Sequence, residues 1–117
     1  MTVRTIIEEM LVDDRDMRVV GSASDIESAR RLMNLHRPGV ITLDLAMPGI
    51  DGMTFLDELS ATPHAPILVV SSRTTDGSDA TNAAVQRGAA ACFDKARLVS
   101  HAQDFRRLLR KTARLLC

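Results

Sequence analysis

The chain has no tryptophan and no tyrosine, only three phenylalanines and two cysteines, and its basic residues are arginine except for Lys95 and Lys111. With no aromatics interleaved among the basic residues and no recognition motif, nothing suits it to stacking or reading nucleic-acid bases. Fifteen basic and fifteen acidic residues cancel to a formal charge of zero, so no global field draws the chain to nucleic acid or anionic lipid. Cys92 and Cys117 lack metal-ligand spacing and the density of a disulfide scaffold, and are expected to be reduced thiols. His36, His64 and His101 are scattered, with neither ligand nor phosphodonor spacing. There is no Gly-x-Ser-x-Gly nucleophile elbow, which disfavours an esterase. No apolar run is long enough to cross a bilayer, and the N-terminus mixes charge with apolar residues rather than forming a signal peptide. These absences leave a cytoplasmic protein with no membrane or nucleic-acid partner as the expectation.

What is present is a core-forming composition, 45% hydrophobic over 117 residues, enough for one compact domain over 1–117 and too short for two. Helical and strand patterns alternate, as in an α/β protein. Val3, Ile6, Ile7, Met10 and Leu11 share one helical face over about 3–12. A short strand is expected over Met17–Ala23, and Ser24 with Glu27 forms a capping box that opens a helix to about His36, closed by Pro38. Val40–Leu43 reads as a buried strand, followed by a helix over about 52–59 and a strand over Ile67–Val70 that emerges at Ser71 and Ser72. A helix over about 77–87, a strand over Ala90–Phe93 and a last helix over about 101–116 complete the pattern.

Three of these strands end in chemically useful groups: Asp44, Ser71 and Lys95. A parallel sheet gathers its strand ends on one rim, the place where ligands bind in open α/β sheets. A carboxylate, a hydroxyl and an ammonium meeting there suit an aspartyl phosphate: the carboxylate accepts the phosphoryl group, the hydroxyl donates to it, and the lysine neutralises one of its oxygens.

From residue 1 to its end the chain resembles the receiver domain of two-component response regulators. The phosphoacceptor-like segment is Asp44-Leu45-Ala46-Met47-Pro48-Gly49-Ile50-Asp51-Gly52. Val69-Val70-Ser71-Ser72-Arg73-Thr74-Thr75-Asp76 and Gly88-Ala89-Ala90-Ala91-Cys92-Phe93-Asp94-Lys95 are similar to chemotaxis methylesterase receivers and stand-alone chemotaxis receivers. The resemblance implies a flavodoxin-like parallel sheet flanked by helices. It also implies Asp44 as phosphoacceptor, Ser71 as switch hydroxyl and Lys95 as phosphate-binding lysine. A sensor histidine kinase would be the donor, with Mg²⁺ held by Asp44 and the Ala46 backbone carbonyl. Phosphorylation would bias the loops after Asp44 and Ser71 and alter the surface built from the last two helices and the last strand. Arg106, Arg107, Arg110, Lys111 and Arg114, beside the stripe Phe105, Leu108, Leu109, Ala113 and Leu116, make the last helix a candidate face for an output protein.

Departures from the family qualify that picture. The first strand and the acidic pair after it have no counterpart, which leaves about four strands and five helices. Asp13 and Asp14 follow the first helix and read as its exit loop. Each missing carboxylate removes about 4 kcal/mol of attraction for each unit of cation charge at close range and an effective dielectric near 20, so Mg²⁺ binding is expected to be weakened. A later start than the natural one, a rearranged sheet, or an oligomer covering the open edge would account for the missing strand, and rearrangement or a homodimer is preferred. Ala96 stands where the family usually has proline, loosening the bend that aims Lys95. Cys92 stands where the family often has its rotamer-switching aromatic, with Phe93 beside it. Ala46 and Arg73 would flank the phosphate. The alternative to a phosphorylated receiver is a pseudo-receiver, an interaction module that works without phosphate.

Overall fold

Ile67, Leu68, Val69 and Val70 are completely buried, a continuous apolar run that suits a strand covered on both faces. They belong to β2 (Ile67–Ser71), the centre of a three-stranded parallel sheet flanked by β1 (Ile41–Asp44) and β3 (Ala91–Asp94). The computed structural model describes residues 3–45, 52–61, 65–71 and 85–114. Burying each large side chain of β2 is worth about 1.5–3 kcal/mol, which makes this strand the energetic centre of the sheet.

The register aligns the strand ends. Asp44 is opposite Val70, and Ser71 is opposite Asp94. The ladder continues past the strands, with Ile41 N donating to Pro66 O (2.9 Å), Leu45 N to Val70 O (3.1 Å) and Ala90 N to Ile67 O (2.8 Å). Between β1 and β2 runs α3 (Gly52–Ser60), which packs on β1 and buries Phe55 and Leu56. The helix expected over about 77–87 lies largely outside the described residues; Val85 and Gln86 are helical, and Gly88 ends the turn at φ 111, with its N–H donating to Val85 O. A 3₁₀ turn (Lys95–Arg97) leads from β3 to α4 (Ala102–Ala113). This last helix packs on β2 and β3 and buries Phe105, Leu109 and Thr112. Thr112 takes a place on the apolar face because its hydroxyl donates to Leu108 O at 2.7 Å.

The chain divides into two compact units, 1–38 and 39–117, the second holding the whole sheet. The first contains α1 (Val3–Leu11), with Val3, Ile7, Met10 and Leu11 buried, and α2 (Ile26–His36). Two expectations are corrected here. Met17–Ala23 forms no strand: no ladder joins it to another described segment, and Val19 is exposed. A strand needs a ladder of hydrogen bonds to a neighbour, and among the described residues none reaches this segment. The segment is held by other means. Gly21 backs onto Leu32, where a Cβ would come within 2.9 Å of the side chain, and Ser22 Oγ donates to Glu8 Oε1 at 2.7 Å. The cap of α2 is Asp25 rather than Ser24, its carboxylate accepting from Ser28 N at 2.7 Å. That backbone hydrogen bond, followed by one from the Ser28 side chain, holds the Asp25 carboxyl below the ordinary carboxylate range.

Candidate functional site

Asp44 ends the first strand of the sheet and Lys95 begins the turn after the last, so these residues stand on opposite sides of β2. Their side chains nevertheless meet, with Lys95 Nζ 3.6 Å from Asp44 Oδ2. Neighbouring strands are about 4.8 Å apart, so the lysine must arch across the end of the central strand to reach the carboxylate. The strand it crosses ends in Ser71, which is buried. Asp44 and Ser71 are one register step apart on adjacent strands, since Asp44 is opposite Val70. The structure therefore brings Asp44 and Lys95 into contact and sets Ser71 at the end of the strand between them.

Access differs along the pair: the Asp44 side chain keeps 17% of its surface exposed and the Lys95 side chain 37%. A carboxylate so placed is reachable by a donor yet shielded enough for a neighbouring cation to matter. At 3.6 Å the contact is an ion pair longer than a direct hydrogen bond, which leaves room for rearrangement around an incoming group. Ala46, Ser72 and Arg73 lie outside the described residues.

Local chemistry holds the backbone around the pair. Gly52, the first residue of α3, approaches Leu45 so closely that a Cβ would lie 2.5 Å from Leu45 Cα and 2.7 Å from its carbonyl oxygen. The two ends of the segment after Asp44 are thereby brought together. After β3, Asp94 Oδ1 accepts from Ala96 N at 3.0 Å, and Leu98 N donates to Lys95 O at 3.3 Å, while Leu98 itself is fully buried. Phe93 packs edge-on against Phe105 with ring centroids 5.1 Å apart, and the Arg97 guanidinium carbon lies 6.0 Å from the Phe93 centroid. The sequence reading missed Gly52 and Asp94. Their signals were a glycine where a loop re-enters a helix and an Asp directly before a tight turn.

Other candidates are used locally. Asp14 Oδ1 accepts from Asp16 N (2.8 Å) and Met17 N (3.1 Å), the helix-exit turn expected for Asp13 and Asp14. His36 ends α2 and His101 precedes α4, with its Nδ1 2.7 Å from Ser100 Oγ; His64 lies outside the described residues. On α4, Arg107 and Lys111 are exposed, as is Arg114 at its C-cap, Arg106 and Arg110 are half-buried, and Arg107 pairs with Asp104 at 3.5 Å. Burial pushes the Cys92 thiol up from its ordinary range.

For Mg²⁺, the described residues offer a poor fit. Among them no group of three or more His, Cys, Asp or Glu side chains could hold a metal, and the Asp44 carboxylate already faces the Lys95 ammonium.

The chain is similar to known proteins along most of its length. The family described as "Response regulator receiver domain" matches residues 1–105. The chain is 39% identical over 118 residues to protein-glutamate methylesterase/protein-glutamine glutaminase 2 of Pseudomonas aeruginosa, covering 96% of this chain and 34% of that protein. The Burkholderia thailandensis protein of the same name is 37% identical over 119 residues, covering 97% of this chain and again 34% of the relative. The chain thus spans about a third of the length of these curated relatives. Among solved structures, the response regulator domain of Thermotoga maritima CheB is similar at a TM-score of 0.82 and 25% identity, over 96% of this chain and 88% of that one. The BeF3-activated N-terminal receiver domain of Klebsiella pneumoniae RstA is similar at a TM-score of 0.70 and 26% identity, over 90% of this chain and 86% of that one.

Proposed function

The chain belongs to the response regulator receiver family, and on that premise we propose that it accepts a phosphoryl group on Asp44 from a sensor histidine kinase and passes the signal on by protein contact. The observation that carries this reading is the 3.6 Å pair between Lys95 and Asp44 across the end of the strand bearing Ser71. In the reaction an Asp44 carboxylate oxygen attacks phosphorus, the bond from phosphorus to the donor's leaving atom breaks, and the leaving group departs with the electron pair. Lys95 then offsets charge that moves from the donor onto the new acyl phosphate, and the Ser71 hydroxyl supplies a hydrogen bond from the neighbouring strand end.

Mg²⁺ supplies further charge neutralisation in receiver domains generally, but the described residues of this chain do not form a strong site for it.

Incubation with acetyl phosphate or phosphoramidate in the presence of Mg²⁺, read by intact mass, tests the proposal. A phosphate-sized adduct that disappears in Asp44→Asn is the expected result; no adduct at any donor concentration would overturn it. That second outcome would favour the pseudo-receiver reading, which the lack of an acidic cluster among the described residues supports. The exposed basic side chains of α4 are the proposed face for an output protein, and one receiver over 1–117 in the cytoplasm, as a monomer or homodimer, is the proposed setting. The Pseudomonas aeruginosa relative is named for methylesterase and glutaminase activities, but this chain covers 34% of it, and we propose a signalling role for these 117 residues.

A further inference from the structure

Lys95 is useful to a phosphoryl group only if its ammonium is aimed, and its side chain leaves the backbone at the bend where β3 gives way to the 3₁₀ turn. The chain must pass within one residue from extended backbone at Asp94, with φ −74 and ψ 120, into the 3₁₀ turn Lys95–Arg97. A turn this short leaves its first N–H groups without partners inside it. Asp94 supplies one: its Oδ1 accepts from Ala96 N at 3.0 Å, closing an Asx turn around Lys95. The far end of the bend is pinned separately, by the fully buried Leu98 side chain and by Leu98 N donating to Lys95 O at 3.3 Å.

We infer that Asp94 is a positioning residue for Lys95, its side-chain oxygen fixing the bend that carries the ammonium across β2 to Asp44. The inference rests on the proposed role of Lys95, but the contact it explains exists without any phosphoryl group. Asp94 is opposite Ser71 in the ladder, so the residue that shapes the turn is anchored to the strand the lysine crosses. The residue inside the turn, Ala96, has a small, exposed side chain that contributes little to holding the bend. The Asp94 acceptor is the local constraint between a well-anchored strand and a buried Leu98.

The test uses the rarity of lysine. With Lys95 and Lys111 the only two in the chain, lysine-selective ¹⁵N labelling gives two side-chain ammonium signals. In the parent protein, Asp44→Asn should shift one of them, Lys95, and leave Lys111 in place. In Asp94→Ala that response to Asp44→Asn should fall to less than half, whereas Asp94→Asn, which keeps an acceptor at the same atom, should retain most of it. Amide protection in β2 is measured in each variant to show that the sheet is intact. An Asp94→Ala protein with a folded sheet and an undiminished response would overturn the inference, as would failure of Asp94→Asn to restore it. Phosphate accumulation from acetyl phosphate is read in parallel, where Asp94→Ala should be slower by about tenfold in a Lys95 background and unchanged in a Lys95→Met background. If the parent chain takes up no phosphate, the phosphoacceptor reading fails while the ammonium signals still decide the role of Asp94.

Discussion

A methyl group placed on Gly52 would lie 2.5 Å from Leu45 Cα, closer than any real side chain approaches backbone, and this contact ties the first turn of α3 to the residue after Asp44. An ordinary Gly→Ala change in a helix gains up to about 1 kcal/mol from propensity. Here the sign reverses, because the obstacle is backbone and cannot rotate away. Gly52→Ala should lose about 1–3 kcal/mol by urea denaturation, the usual range for overpacking, and should slow phosphate uptake at Asp44.

Lys95→Met separates stability from function. The lysine is more than a third exposed, so the ion pair with Asp44 is screened by solvent. Removing it should change the unfolding free energy by no more than about 1 kcal/mol in urea titrations. Phosphate accumulation should fall far more than that small change implies, and a parallel loss of both would argue that the lysine is only structural.

Phe105 is completely buried and meets the edge of Phe93 at 5.1 Å. Phe105→Ala should cost about 3–5 kcal/mol, the range for emptying an aromatic site in a core. Phe105→Leu should cost less, since most of the volume is kept. Both are measured by denaturant midpoint with an unchanged slope.

Cys92 gives a pH-dependent test. Burial raises its thiol pKa from an ordinary value of 9.0, so the native protein holds that proton longer than the unfolded chain does. Stability is therefore unaffected well below pH 9 and falls as pH rises past the unfolded value towards the higher native one. Iodoacetamide labelling at pH 8, followed by peptide mass at Cys92, should be several-fold slower in native protein than in urea. Equal rates would place the thiol in open solvent.

Much of the fold could be read from residue order. The burial of Ile67–Val70 follows from a run of apolar residues without alternation, and α1 follows from the spacing of Val3, Ile7, Met10 and Leu11. Met17–Ala23 shows the limit of such reading, because β-favouring residues describe what a segment would do beside a partner and do not supply one. The Ser24 capping box failed for a similar reason: Ser24, Asp25 and Glu27 offer competing local hydrogen bonds, and only the geometry selected Asp25.

The candidate site divides along the same line. Asp44, Ser71 and Lys95 each stand where a strand pattern stops, a one-dimensional property that sequence carries in full. That the first and last of them touch across β2 depends on the strand order, which is decided by pairing across long stretches of chain. The sequence by itself determined which chemical groups end each strand, because apolar runs and the residues that interrupt them are local. Only the tertiary structure decided which of those groups meet, because strand order and close backbone approaches such as Gly52 on Leu45 arise when distant segments are packed together.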